Sequence, residues 1–146
     1  MIKSLSDSIV IVDDFPDIAE IIQHSFQNIG FTNVVIFNDP IRLIENVKTG
    51  LLPNVVITDF NMPGLNGCEL LNQLSELVSN IDGIIITAEP TDARKFTQKY
   101  HIIQKNDSFA EEIINYLLRL IENRNSKPSD YSHREYQFSA IKKDNS

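Results

Sequence analysis

Five short runs rich in Ile and Val alternate along this chain with five longer segments of helical period, and that alternation constrains the fold more than any other feature. The runs are Ser8–Val12, Asn33–Phe37, Val55–Thr58, Ile84–Thr87 and His101–Gln104. Their apolar residues follow one another instead of alternating with polar ones. Strands read this way when helices cover both faces of a parallel sheet. Between them, Ile18, Ile21, Ile22, Phe26 and Ile29 repeat at helical spacing from Pro16 onward, with Gly30 in the C-cap position. Asp39-Pro40 supplies an N-cap and a first-turn proline for a second helix that Gly50 closes. Leu70, Leu71, Leu74, Leu77 and Val78 mark a third apolar face, and Ala93, Phe96 and Tyr100 a shorter fourth, although Tyr100 also has the strand parity of Ile102 and could face the same side. The fifth helix is expected to open with a capping box, Ser108 to Glu111, and to carry Ala110, Ile113, Ile114, Leu117, Leu118 and Ile121 on one stripe.

Such a (βα)₅ chain predicts an α/β fold, a doubly wound parallel five-stranded sheet joined by right-handed crossovers. Its 146 residues suffice for one domain. The pattern fails after about Asn123, so the expected division is a domain over 1–124 and a polar tail over 125–146. That tail is expected to be disordered or to carry a short docking helix over 135–143. Its roughly two dozen residues are too few for a fused DNA-binding domain with its own core.

Charge and composition narrow the function. The formal net charge is −7, with 17 acids and 8 bases over 1–122 and 3 acids and 5 bases beyond. Nucleic-acid affinity rests on neutralising phosphates, so no nucleic-acid partner is expected. The longest apolar runs, Ile9–Val12 and Ile84–Ile86, fall far short of a membrane span, and the first residues lack the apolar stretch of a secretory signal. A single cysteine, Cys68, has no internal disulfide partner. A reducing cytoplasm is the expected setting.

The polar residues of interest share one position in the pattern. Asp13 and Asp14 follow the first strand, Asp59 the third and Lys105 the fifth, while Thr87 ends the fourth. In an open α/β sheet the ligand crevice lies outside the carboxyl ends of the strands. Strands 1, 3, 4 and 5 would therefore bring all five groups together if they are neighbours. Three such carboxylates repel, at about 4 kcal/mol per pair for a 4 Å separation and an effective dielectric of 20. Such a pocket calls for a cation, and hard oxygen ligands favour Mg²⁺, which shares its coordination sphere readily with phosphate. With His24 expected mid-helix and His133 in the tail, zinc is not expected. A carboxylate beside Mg²⁺ is a competent phosphoryl acceptor, and Lys105 and Thr87 would neutralise and orient the phosphoryl oxygens.

Ile9-Val-Ile-Val-Asp-Asp-Phe, Ile57-Thr-Asp-Phe-Asn-Met-Pro-Gly-Leu-Asn-Gly, Ile86-Thr-Ala-Glu and the lysine after the fifth strand resemble the receiver domain of two-component response regulators. The resemblance covers residues 8 to about 122 and is closest to the single-domain, CheY-like kind. It implies the flavodoxin/CheY-like strand order 2-1-3-4-5. It also implies that Asp59 is the phosphoacceptor, that Asp14 and Asp59 ligate Mg²⁺ directly, Asp13 through water and Asn61 through its backbone carbonyl. Thr87 would bind a phosphoryl oxygen and Lys105 would pair with the phosphate, while Met62-Pro63-Gly64 shapes the covering loop and Gly67 permits a tight entry to the third helix. The chain departs from the family where an aromatic residue usually stands three before the lysine, here Ile102, and where proline usually follows it, here Asn106. The interval from Thr87 to Lys105 is also a few residues short.

The resemblance implies a phosphorylatable switch charged by a sensor histidine kinase or histidine phosphotransfer protein, or an intermediate in a phosphorelay. Output would pass by contact to a downstream protein of unknown identity, from a monomer or a weak phosphorylation-dependent dimer. The enzyme alternative is a Mg²⁺-dependent phosphatase of the haloacid-dehalogenase kind. That family places its nucleophile after the first strand with a second Asp two residues on, whereas Asp59 follows the third strand and is followed by Asn61. A flavodoxin-like nucleotide or flavin binder would need a glycine- or hydroxyl-rich loop where Asp13-Asp14-Phe15-Pro16 stands.

Overall fold

In a computed structural model, which describes residues 1–126, all five apolar runs form strands and all five intervening segments form helices. Chain order is β1 (Ile9–Val12), α1 (Pro16–Ile29), β2 (Val34–Phe37), α2 (Pro40–Lys48), β3 (Val55–Asp59), α3 (Gly67–Leu77), β4 (Asp82–Thr87), α4 (Pro90–Phe96), β5 (His101–Gln104) and α5 (Phe109–Asn125). The strands pair in parallel in the order β2-β1-β3-β4-β5. Register aligns Val12 with Phe37 and Thr58, Thr58 with Ile85, and Thr87 with Gln104, so all five strands end at nearly one level.

Alternate strand residues feed two cores. Ile9, Ile11, Ile57, Ile84, Ile86 and Ile103 pack against α1 and α5. Val10, Val12, Val56 and Ile85 pack on the opposite side against α2, α3 and Ala93 of α4. Full burial on both faces holds for β1, β3 and the last four residues of β4. It does not hold for β2 and β5, which stand at the sheet margins and are only partly covered. Their apolar composition gave no sign of that difference.

Two local expectations are corrected. Tyr100 does not continue the fourth helix, because α4 stops at Phe96. Tyr100 instead packs beneath β4 and α3, its hydroxyl donating to Asn72 Oδ1 at 2.7 Å. A Cβ at Gly83 would come within 2.8 Å of its ring, so the glycine makes room for the tyrosine. The capping box at Ser108 does not form either, since its side chain caps nothing. Asn106 Oδ1 accepts from both the Ser108 amide, at 2.9 Å, and its hydroxyl, at 3.1 Å, and this Asx turn holds Ser108 out of the extended geometry a cap needs. A reciprocal box does form at α3, where Asn66 Oδ1 accepts from the Glu69 amide and Glu69 Oε1 from the Asn66 amide.

The amino ends of the strands are closed by a clamp that sequence reading had not singled out. Arg124 of α5 meets both carboxylate oxygens of Asp82, at 2.6 and 2.7 Å, and also donates to the Ile2 carbonyl at 2.9 Å. The Ile2 amide donates back to Asp82 at 2.7 Å, and the Ile2 side chain is completely buried. The Asn125 side chain adds a bond to the Lys3 carbonyl at 2.8 Å. The tail and docking helix expected beyond this point lie, from residue 127 on, outside the described residues.

Candidate functional site

Four of the five expected groups stand on strand ends or one step beyond, and the sheet order makes their strands adjacent. Asp13 follows β1, Asp59 and Thr87 close β3 and β4, and Lys105 follows β5 with its amide bonded to the Thr87 carbonyl at 2.8 Å. Asp14, the fifth, lies one residue further on. The carboxylates of Asp13, Asp14 and Asp59 each offer an oxygen within 4.8 Å of the others. Lys105 Nζ lies 3.0 Å from Asp59 Oδ1 and 3.9 Å from Asp13 Oδ2. One lysine therefore faces three acids.

The hydrogen bonds leave the set incomplete. Asp13 Oδ1 accepts the Phe15 amide at 2.8 Å. Burial raises the Asp13 pKa, and the charges on Asp59 and Asp14 push the same way, against the Phe15 amide and Lys105. Asp14 Oδ1 is buried with no hydrogen-bond partner. A carboxylate oxygen cut off from water and left unpaired is strongly unfavourable unless a cation completes it. Three oxygen donors of this kind, with neither His24 nor Cys68 among them, fit a hard divalent cation. Asn61 lies exposed in the loop two residues past Asp59.

Thr87 is buried, and its Oγ1 accepts the Glu89 amide at 3.1 Å. That bond uses a lone pair and leaves the hydroxyl proton free to be donated. Behind Asp59 the backbone is tightly held. Phe60 donates its amide to the Ile86 carbonyl and accepts the Gly67 amide, both at 2.9 Å. A Cβ on Gly67 would stand 2.5 Å from the Asp59 carbonyl oxygen, so α3 reaches this close to the site only with glycine there. Ile102 is partly buried against the core on the α3 and α4 side. Phe60, which follows Asp59, meets the Phe96 ring edge-on with centroids 5.3 Å apart, a contact with no local signature in sequence.

A fold and a site of this kind define a receiver: a phosphorylation-signalling module of two-component systems. The family model for the response regulator receiver domain matches residues 9–105, and the chain belongs to that family. It is 34% identical over 83 residues to chemotaxis protein CheY-3 of Vibrio cholerae, covering 56% of this chain and 63% of that protein. Over a similar stretch it is 32% identical to chemotaxis protein CheY of Pseudomonas aeruginosa, covering 66% of the relative. The alignments thus span less than two-thirds of these relatives. Among solved structures, a response regulator receiver protein from Sinorhizobium medicae superposes with a TM-score of 0.71 at 18% identity, over 82% of this chain and 98% of that one. Vibrio cholerae CheY4 superposes with a TM-score of 0.66 at 21% identity, over 78% and 98%. The two superpositions establish the fold. No helix among the described residues is long and apolar enough to cross a membrane.

Proposed function

We propose that this chain is a phosphorylatable switch in which Asp59 accepts a phosphoryl group from a phosphohistidine of a sensor kinase or phosphotransfer protein. The observation that carries the reading is the charge imbalance: three clustered carboxylates, one lysine, and a buried Asp14 oxygen with no partner. Asp13, Asp14, Asp59 and the Asn61 carbonyl would hold Mg²⁺, which when bound supplies positive charge against the incoming phosphoryl oxygens.

An Asp59 carboxylate oxygen attacks phosphorus as the P–N bond to the donor imidazole breaks. The bond's electron pair returns to the imidazole nitrogen, and Asp59 becomes an acyl phosphate. Lys105, already 3.0 Å from Asp59, follows the negative charge onto the phosphoryl group. The free Thr87 proton is donated to a phosphoryl oxygen. Water later attacks phosphorus, restoring the carboxylate and releasing inorganic phosphate, so the chain resets itself and turns over no external ester.

The receiver occupies 1–124, the setting is the cytoplasm, and output is by contact with a downstream protein, from a monomer or a weak phosphorylation-dependent dimer. Ile102 supports a switch without the usual rotating ring, because its β-branch restricts χ1 and it has no ring to swing toward Thr87. Incubation with acetyl phosphate and Mg²⁺, read by mass spectrometry, tests the reading. A hydroxylamine-labile phosphoryl adduct on Asp59 is expected, absent in Asp59→Asn and in EDTA. Undiminished labelling in either would refute it.

A further inference from the structure

We propose that the contact between Phe60 and Phe96 is the pivot about which α4 swings when Asp59 is phosphorylated. This inference rests on Asp59 being the phosphoacceptor.

Helix α4 is short. It has seven residues, no side-chain N-cap, and Ala93 as its buried residue. Two tethers join it to the site. At its start, the Glu89 amide donates to Thr87 Oγ1 at 3.1 Å. At its end, the Phe96 ring meets the Phe60 ring edge-on, with centroids 5.3 Å apart and planes at 63°. Phe96 is 59% exposed even with this ring contact made. Cys68 Sγ adds a weak contact to the Phe96 carbonyl at 3.8 Å.

The two tethers differ in what phosphorylation does to them. The Thr87 hydroxyl gains a charge-assisted bond when a phosphoryl oxygen arrives, so the starting tether has a reason to move. Phe60 follows Asp59 directly, yet its backbone is bonded on one side to Ile86 and on the other to Gly67. Its ring is 4% exposed and fixed in the core. The closing tether is therefore anchored to backbone held by β4 and α3, whereas the starting tether hangs on a hydroxyl that can turn about χ1. A short rigid helix pulled at one end and held at the other rotates. With Ile102 in place of a ring, that rotation is what a partner reads.

The test compares amide NMR spectra of the full chain with and without beryllofluoride and Mg²⁺, alongside acetyl phosphate labelling. In the wild type, shifts at residues 88–92 should exceed those at 94–97. Phe96→Ala should raise the shifts at 94–97 by about twofold or more, since an edge-to-face pair biases an equilibrium by at least about that factor. Phe96→Tyr, which keeps the ring, should restore the wild-type pattern, and labelling of Asp59 should persist in both. Equal shifts along the whole of α4 in the wild type would overturn the pivot without any variant. So would a Phe96→Ala pattern identical to that of the wild type. Absence of both labelling and beryllofluoride shifts would instead overturn the assignment of Asp59, and the pivot with it.

Discussion

The two ends of the sheet each bring carboxylate and base together, and they treat them in opposite ways. At the amino ends, Asp82 and Arg124 form a two-pronged pair, and both Asp82 oxygens are bonded, one of them also to the Ile2 amide. Charge there is balanced one to one and locks the first residues to β4 and α5. At the carboxyl ends, three acids cluster beside one lysine, which pairs with Asp59 and Asp13, and one buried Asp14 oxygen has no hydrogen-bond partner. The first arrangement is complete without a ligand; the second is not. Satisfied charges stabilise a fold, whereas unsatisfied charges held in place by the rest of the fold define a binding site.

Substitutions at the two ends should therefore differ in sign as well as size. The largest loss is expected where the carboxyl end is closed by packing alone. Gly67→Ala would drive a methyl against the Asp59 carbonyl, with backbone on the receiving side, and should lower stability by about 3 kcal/mol in denaturant titrations. It should also slow phosphoryl labelling, because the displaced group is Asp59 itself. A substitution that leaves both unchanged would show that α3 can back away freely.

Next in size is Arg124→Ala, which strips charged hydrogen bonds from Asp82 and Ile2. Since the pair is partly exposed, about 2 kcal/mol is expected. That corresponds to a drop in Tm of about 6 °C for a chain of this length. Labelling of Asp59 should not change, and a slowed label would show that the two ends are coupled.

Asp14→Asn should have the reverse sign. Without divalent metal it removes a like charge from a pocket with too many, and should raise Tm by about 3 °C, or about 1 kcal/mol. A fall in Tm would mean that Asp14 has a compensating partner and that the contrast between the ends is false.

The smallest effect belongs to His101, which stacks on Tyr116 with centroids 3.8 Å apart. Burial first, then Arg119, lowers its pKa, with Glu112 opposing. The unfolded chain therefore takes up this proton before the folded one does. The neutral imidazole's contribution to stability is complete above the ordinary histidine pKa of 6.5 and is lost as pH falls from there through the lowered folded value. His101→Gln should flatten the pH dependence of Tm slightly in that window. An unaltered slope would remove His101 from the account.

The same contrast separates what sequence could disclose from what it could not. Asp13, Asp14, Asp59, Thr87 and Lys105 were legible because each follows or ends an apolar run, and parallel topology sends all such positions to one end. Element types were legible because unbroken runs of Ile and Val and a helical period of 3.6 are local signals. The clamp at the other end was not, since Ile2, Asp82 and Arg124 are brought together across about the whole chain and none sits in a distinctive local pattern. Tyr100 was ambiguous for a related reason: its spacing from Phe96 fits a helix and its parity fits the side of Ile102, and its bond to Asn72 and the room left by Gly83 decide for the latter. Ser108 failed because two competing caps lay two residues apart and Asn106 captured it.

The central claim, that the carboxyl end is built to take a divalent cation and the amino end is not, is tested most directly by melting the protein across a Mg²⁺ titration. At about 100 times Kd, binding to the folded state alone adds about 2.7 kcal/mol. The wild type and Arg124→Ala should therefore both gain about 8 °C in Tm. Asp14→Asn should gain little or nothing over the same range. An equal gain in Asp14→Asn, or none in the wild type, would contradict the account.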